Sequence, residues 1–366
     1  MRTLSTGNRI SSFWSSKKQD FNRDERGLVS FMVTLIMMLV ISLIVIGFTQ
    51  AANRNRRQTL DRQLSAQAFY AAESGVNDVV KTIRTNINAG TPVASQSSCN
   101  GSDYPTTGSL SPDGSVKYTC VLVKTTVPDV RTTASTQSSS VVHLKLSQED
   151  GSNLPPTASV DLSFTWSVAN SASPDPANCS TAGIFKKNDA ANTCGYGLLR
   201  VDLMQANGGF SGAQDLASNT MTFYMQPVSS GGGSGGVSSF TGATKGVVVP
   251  AVCSDASQTC KGTIVLSASA LTPLDYYARI STLYRDTPSV VVDAVNASGT
   301  DAWFTDSQAR IDVTGKAQDV LRRVQVRVPL QQTGTTNLPL GSLQSSGDVC
   351  KRFSVYSGVT AINSCP

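Results

Sequence analysis

Hydrophobic positions follow three rhythms along this chain. From Leu28 to Phe48 they are almost unbroken: LVSFMVTLIMMLVISLIVIGF, 21 residues without a charge. As a helix rising about 1.5 Å per residue this run is about 31 Å long, the hydrocarbon thickness of a bilayer. Fourteen of its residues are Leu, Ile, Val or Phe, each favouring insertion by about 0.3–0.6 kcal/mol near the centre. The pattern predicts a membrane-spanning helix, since a buried core helix normally keeps one polar stripe. From Ala51 to Ile87 there is no proline, and Leu60, Leu64, Ala68, Ala71, Gly75, Val79 and Ile83 recur at steps of three and four. That is one helical face, widened by Phe69, Tyr70, Val76 and Val80. The two stretches together predict one continuous helix of about 60 residues and about 90 Å.

Past Ala89 the period falls to two. Strand-like runs occur at Val116–Val127, Val141–Leu146, Val160–Val168, Leu198–Met204, Met221–Met225, Val247–Val252, Thr263–Ser267, Tyr276–Tyr284, Ser289–Val295, Arg310–Val313 and Leu321–Leu330. Turn residues between them predict an antiparallel, sandwich-like sheet or one wrapped on the helix. In the last run Val324, Val326 and Val328 are expected to face inward and Arg323, Gln325 and Arg327 outward, leaving one wet face. The expected fold class is α+β: a long N-terminal helix packed on a β-rich, disulfide-stapled head. A Gly/Ser-rich tract at 229–245 is expected to separate a first head region, 90–228, from a second, 246–366. Residues 131–140 read as a mobile, Ser/Thr-rich segment open to O-glycosylation.

Charge changes little in this picture. The formal net charge is +5, but residues 1–27 carry six basic against three acidic residues, leaving +2 for everything from Leu28 onward. By that count no strongly basic face is left for nucleic acid, although a local patch is compatible with it. The cysteines add more. All eight lie beyond the apolar run, which predicts an oxidising, extracytoplasmic location for that side. They fall into neighbouring couples, Cys99 with Cys120, Cys179 with Cys194, Cys253 with Cys260 and Cys350 with Cys365. A zinc site is the rival reading, opposed by the absence of short Cys-x-x-Cys spacings and by a single histidine, His143.

Catalysis finds no support in the residue pattern. A nucleophilic triad needs a base, and His143 sits alone in the strand run VVHLKL. Asp129, Asp161 and Asp202 have no spacing that recommends them as a carboxylate pair. The Gly-rich tract lacks the Lys-Ser/Thr that closes a phosphate loop, and no 12-residue calcium loop is present. No enzyme activity, cofactor or metal is expected.

The run D24-E-R-G-L-V-S-F31, a charged leader ending in glycine and passing abruptly into apolar sequence, resembles the processing site of a type IV prepilin. The resemblance implies cleavage by prepilin peptidase after Gly27 and methylation of a new N-terminus at Leu28. It also implies a helix, through Leu28, Phe31, Met32, Leu35, Leu39 and Leu43, that holds the chain in membrane lipid and later packs against other pilin subunits in a fibre. The chain departs from the major-pilin pattern at Met32, where those subunits carry glutamate, and this points to a minor or tip subunit. The run A68-F-Y-A-A-E-S-G-V76 is similar to a stretch frequent in minor pilin-like proteins; within it Glu73 reads as a solvated helix residue. The similarity covers roughly the first 80 residues. It implies a cytoplasmic leader at 1–27, a span at 28–48, an extracytoplasmic helix at 49–89 and a head outside the cytoplasmic membrane, later displayed on a pilus at the cell surface. The head is expected to contact an extracellular surface or DNA, or to prime assembly. A pseudopilin of a secretion or DNA-uptake machine would be built the same way, and an unprocessed single-span surface protein is the remaining alternative.

Overall fold

The computed structural model describes residues 25–154, 159–168, 179, 194–205, 219–229, 234–237, 246–254, 257–267, 271, 275–296 and 299–330. The chain forms two compact units, Met1–Gln63 and Leu64–Pro366. One helix, α1 (Glu25–Asn88), supplies the described part of the first unit and opens the second. In the first unit its large apolar side chains are exposed throughout. A helix surface that is apolar all round is the composition of a segment made for lipid or for other helices.

The second unit is β-rich, as the α+β reading expects. After α1 come β1 (Gly108–Ser109), β2 (Val116–Val127), β3 (Asp129–Ala134), β4 (Ser140–Ser147), β5 (Val160–Ser167), β6 (Leu198–Gln205) and β7 (Thr220–Val228). Then follow β8 (Ser234–Val237), β9 (Val247–Ser254), β10 (Thr259–Leu266), β11 (Asp275–Leu283), β12 (Thr287–Asn296), β13 (Asp301–Ala317) and β14 (Val320–Pro329). All belong to one sheet. Pairing is antiparallel except for β7 with β9 and β8 with β10. Strands from both sides of 229–245 interleave in one sheet, β6 beside β11 and β2 beside β13. Part of that tract, β8, is itself a strand.

The path β13-β4-β11-β6-β7-β9-β10-β5-β12 closes on itself, because Ala294 and Val295 of β12 pair with Ala302 and Asp301 of β13. Closure removes two sheet edges. It encloses a core of Phe164, Trp166, Tyr196, Phe223, Tyr276 and Phe304, all at most 1% exposed. Alternation drives this: in β11 Tyr276, Ala278, Ile280 and Thr282 are buried and the residues between them are not. Trp166 Nε1 satisfies itself by donating to the Gly197 carbonyl at 3.0 Å.

β13 runs on past the barrel. Its second half lies between β2 and β14, and these three strands cover α1 through a second core of Ala72, Val76, Val79, Ile83, Tyr118, Val121, Val123, Ile311 and Val313. The sequence signals only Arg310–Val313 of this 17-residue strand. The signal is broken by the polar run Thr305–Gln308, where the β2 register shifts and Asp306 adopts φ 56°. Residues 131–134 also differ from expectation. They belong to β3, which pairs with β12 and buries Val130 and Ala134, while Thr136 is held at the turn by Asp286 Oδ1 through its N at 2.6 Å and Oγ1 at 2.9 Å. Ser and Thr are compatible with an edge strand when the alternate positions are apolar.

Three disulfides join Cys99–Cys120, Cys179–Cys194 and Cys253–Cys260. The first fastens the segment after α1 to β2, where Gln96 Nε2 also donates to the Val121 carbonyl at 2.9 Å. Cys350 and Cys365 lie outside the described residues, as do residues 1–24 of the leader.

Candidate functional site

The candidate site is α1 itself, read in two halves. In the apolar half Phe31, Met32, Leu35, Leu39 and Leu43 are 68%, 62%, 52%, 55% and 61% exposed. Two of the polar interruptions are satisfied within the helix: Thr34 Oγ1 donates to the Phe31 carbonyl at 2.9 Å and Ser42 Oγ to the Met38 carbonyl at 2.8 Å. Thr49 closes the stretch in the same way on Val45 at 2.8 Å. The hydroxyls of Thr34, Ser42 and Thr49 are therefore not left to penalise immersion in hydrocarbon. A window of this helix reaches mean hydropathy 2.9 with none of it buried, long and apolar enough to cross a membrane. Gly27 and Leu28 lie in the first helical turns of α1.

The second half is shaped for close approach. Ala68, Ala71, Ala72 and Gly75 are the small residues of the A68–V76 run, and they form its buried face. Opposite them stands Gly315 of β13: a Cβ there would lie 2.0 Å from the Ala68 carbonyl oxygen and 2.5 Å from the Ala72 nitrogen. At Gly75 a Cβ would meet Val313 at 2.7 Å and Tyr118 at 2.8 Å. Helix and strand backbones touch because neither carries a side chain at the crossing. One turn further, the Tyr118 hydroxyl donates to Asp78 Oδ2 at 2.9 Å. Burial, with Asp78 adding to it, pushes that phenol up to about 12. Arg322 Nε donates to Ser65 Oγ at 2.7 Å from β14. Two members of the expected stripe face the other way: Phe69 and Tyr70 are 47% and 62% exposed, edge to face at 6.0 Å. The small residues that flank them, Ala68, Ala71 and Ala72, own the contact, and a large ring cannot enter a backbone-to-backbone crossing. Leu60 is exposed as well, and Glu73 is solvated.

The remaining candidates are scattered. His143 is buried on β4, with Nε2 2.5 Å from Asp275 Oδ1, Nδ1 3.3 Å from the Asp306 carbonyl oxygen and its ring stacked on Tyr277 at 4.8 Å. It borders a cavity of about 390 Å³ shared with Lys145 and Ile87. Asp202, 2% exposed, is held by Arg200 at 3.0 Å, Arg279 at 2.7 Å and Thr222 at 2.8 Å. Asp129 is held by Arg131 and Arg327, each at 2.7 Å, and Asp161 is exposed on β5. No two of these three carboxylates stand opposite one another in the sheet register; instead Asp129 stands in register with Asp293 of β12, a residue with no sequence signal. Among the described residues no group of three or more His, Cys, Asp or Glu is placed to hold a metal ion.

Comparison with known families gives one match, and it falls on this helix: the model described as PilX N-terminal, the N-terminal domain of type IV pilus minor pilins, covers residues 26–77. No curated protein and no solved structure matches the chain.

Proposed function

We propose, from a chain whose N-terminal segment is of the type IV minor-pilin kind, that the protein is a structural minor subunit of a type IV pilus or related fibre. Its leader is removed after Gly27, Leu28 becomes the methylated N-terminus, and Leu28–Phe48 passes from lipid into a bundle of other subunits' helices. The observation that carries the reading is the coincidence, within residues 26–77, of the family match, an exposed apolar helix, and a glycine and alanine seam that fixes the helix on its head. Met32 supports a minor place over a major one, since it offers no carboxylate to a neighbour's amino terminus. The head serves in contact or in assembly priming, and the role is structural: His143, Asp129 and Asp202 are each engaged by partners within the fold.

The test is intact mass and N-terminal sequencing of the protein from its native envelope, unreduced. A chain beginning at methylated Leu28 and lighter by eight hydrogens, for four disulfides, is the expected outcome. Gly27→Leu should retain the leader and abolish incorporation into fibres. Wild-type protein that keeps residues 1–27 on the cell surface would instead identify an unprocessed single-span protein.

A further inference from the structure

The sheet register gathers cations that are far apart in sequence. Lys124 of β2 stands opposite Arg310 of β13, and Arg310 stands opposite Arg327 of β14. Lys117 of β2 likewise stands opposite Lys316 of β13. Residues opposed in an antiparallel pair share a face, and their neighbours Val123, Ile311 and Val326 belong to the core against α1. The five cations therefore lie on the other, solvent-facing side, and all five are partly or fully exposed.

Acids on this face are few and already taken. Asp312 is held by Arg323, and Asp129 by Arg327 and Arg131; Asp113 is turned onto Ser115, leaving Asp319 at the β13–β14 turn. Lys117, Lys124, Arg310 and Lys316 enter no ion pair among the described residues. Like charges directly opposed across strands destabilise a sheet, so this arrangement has no reason in the fold's own stability. A bound anion would relieve it.

We propose that this face of β2, β13 and β14 binds the phosphate backbone of double-stranded nucleic acid without regard to sequence. Adjacent strands are about 4.8 Å apart, so the Lys124–Arg310–Arg327 row spans about 10 Å; the Lys117–Lys316 row lies about 20 Å further along β13. Two rows at that separation suit a rigid polymer that carries a phosphate about every 1.7 Å of its axis, because both rows then meet charge at once. A duplex keeps its shape over about 150 base pairs, so engaging both rows costs it no ordering. A flexible acidic polysaccharide would have to be ordered to do the same. The face carries no aromatic ring on which single-stranded bases could stack. Every cation in it is a lysine or arginine, so the positive charge persists through neutral pH. This inference goes beyond the fibre reading and does not depend on it.

The experiment uses the full chain in non-ionic detergent and a labelled mixed-sequence duplex, with anisotropy followed between about 50 and 200 mM salt. Affinity should fall with salt at a log–log slope of about −4, one phosphate for each unpaired cation. Lys124→Gln with Arg310→Gln should weaken binding at least about tenfold and flatten the slope by about two, and Lys117→Gln with Lys316→Gln should do the same. Lys81→Gln with Arg84→Gln, on the exposed side of α1, should leave both quantities unchanged. Thermal unfolding of each variant shows that its fold is kept. Binding that is indifferent to the two row variants, or equal row-dependent binding of heparin or of phosphatidylglycerol vesicles, would overturn the proposal.

Discussion

Asp293 shows how a single residue can carry opposing demands. On β12 it faces Asp129 in register, its Oδ1 makes no hydrogen bond, and the nearest cation, Lys261 Nζ, is 3.7 Å away. Burial, with the neighbouring Asp129 carboxylate adding to it, holds its pKa above the ordinary aspartate range. Asp129 is buried too, but hydrogen bonds from Arg131 and Arg327 outweigh that and hold its pKa below the same range. The signs follow by linkage. The raised group stabilises the fold when protonated, fully at low pH, and that contribution is lost as pH rises through its folded pKa. The lowered group stabilises the fold when ionised, and that contribution is lost as pH falls below about 4. At neutral pH Asp293→Asn should therefore raise the unfolding temperature and Asp129→Asn lower it, and both differences should shrink toward zero near pH 3 in a calorimetric pH series. Nothing in the sequence marks Asp293, because the carboxylate that defines it lies on another strand.

At the scale of elements the governing contact is the crossing of α1 over β13. Sequence periodicity finds the helix face, yet it treats Phe69 and Tyr70 as equals of Ala68 and Ala72. The structure separates them by the distance between backbones. Gly315 permits the approach, so Gly315→Ala should push the helix off the strand and cost about 1–3 kcal/mol. Thermal unfolding in detergent would measure the loss, and limited proteolysis should cut sooner within 64–88. Gly47→Ala, with nothing within 4 Å of the new Cβ, should show neither effect. The strands were legible where apolar residues alternate without interruption, as in β2 and β14. They were illegible in the middle of β13, where a bulge with Asp306 at positive φ interrupts the alternation, and in β3, where Thr132 and Thr133 look like a loop.

For the whole molecule, staples and closure matter together. The Cys179–Cys194 bridge spans 15 residues beside the barrel core, and both sulfurs are buried. Replacing both by serine should cost about 3 kcal/mol by the loop-entropy estimate. Chemical denaturation of the unreduced protein would show this as a lower midpoint with the other bridges intact. The same scale gives the basic face its existence: a net charge near zero for the chain beyond the leader conceals five cations in two rows, because only register brings residue 117 beside 316 and 124 beside 310.

The sequence by itself determined the apolar helix, its amphipathic continuation, the α+β class and three of the neighbouring cysteine couples. These depend on residues close along the chain, whose periodicity and spacing are local properties. The tertiary structure decided which helical residues touch the head, how the strands order themselves into a closed barrel with an outlying three-stranded flank, which carboxylates face one another, and where charge accumulates. Those depend on pairings between distant residues, and no local pattern encodes the partner.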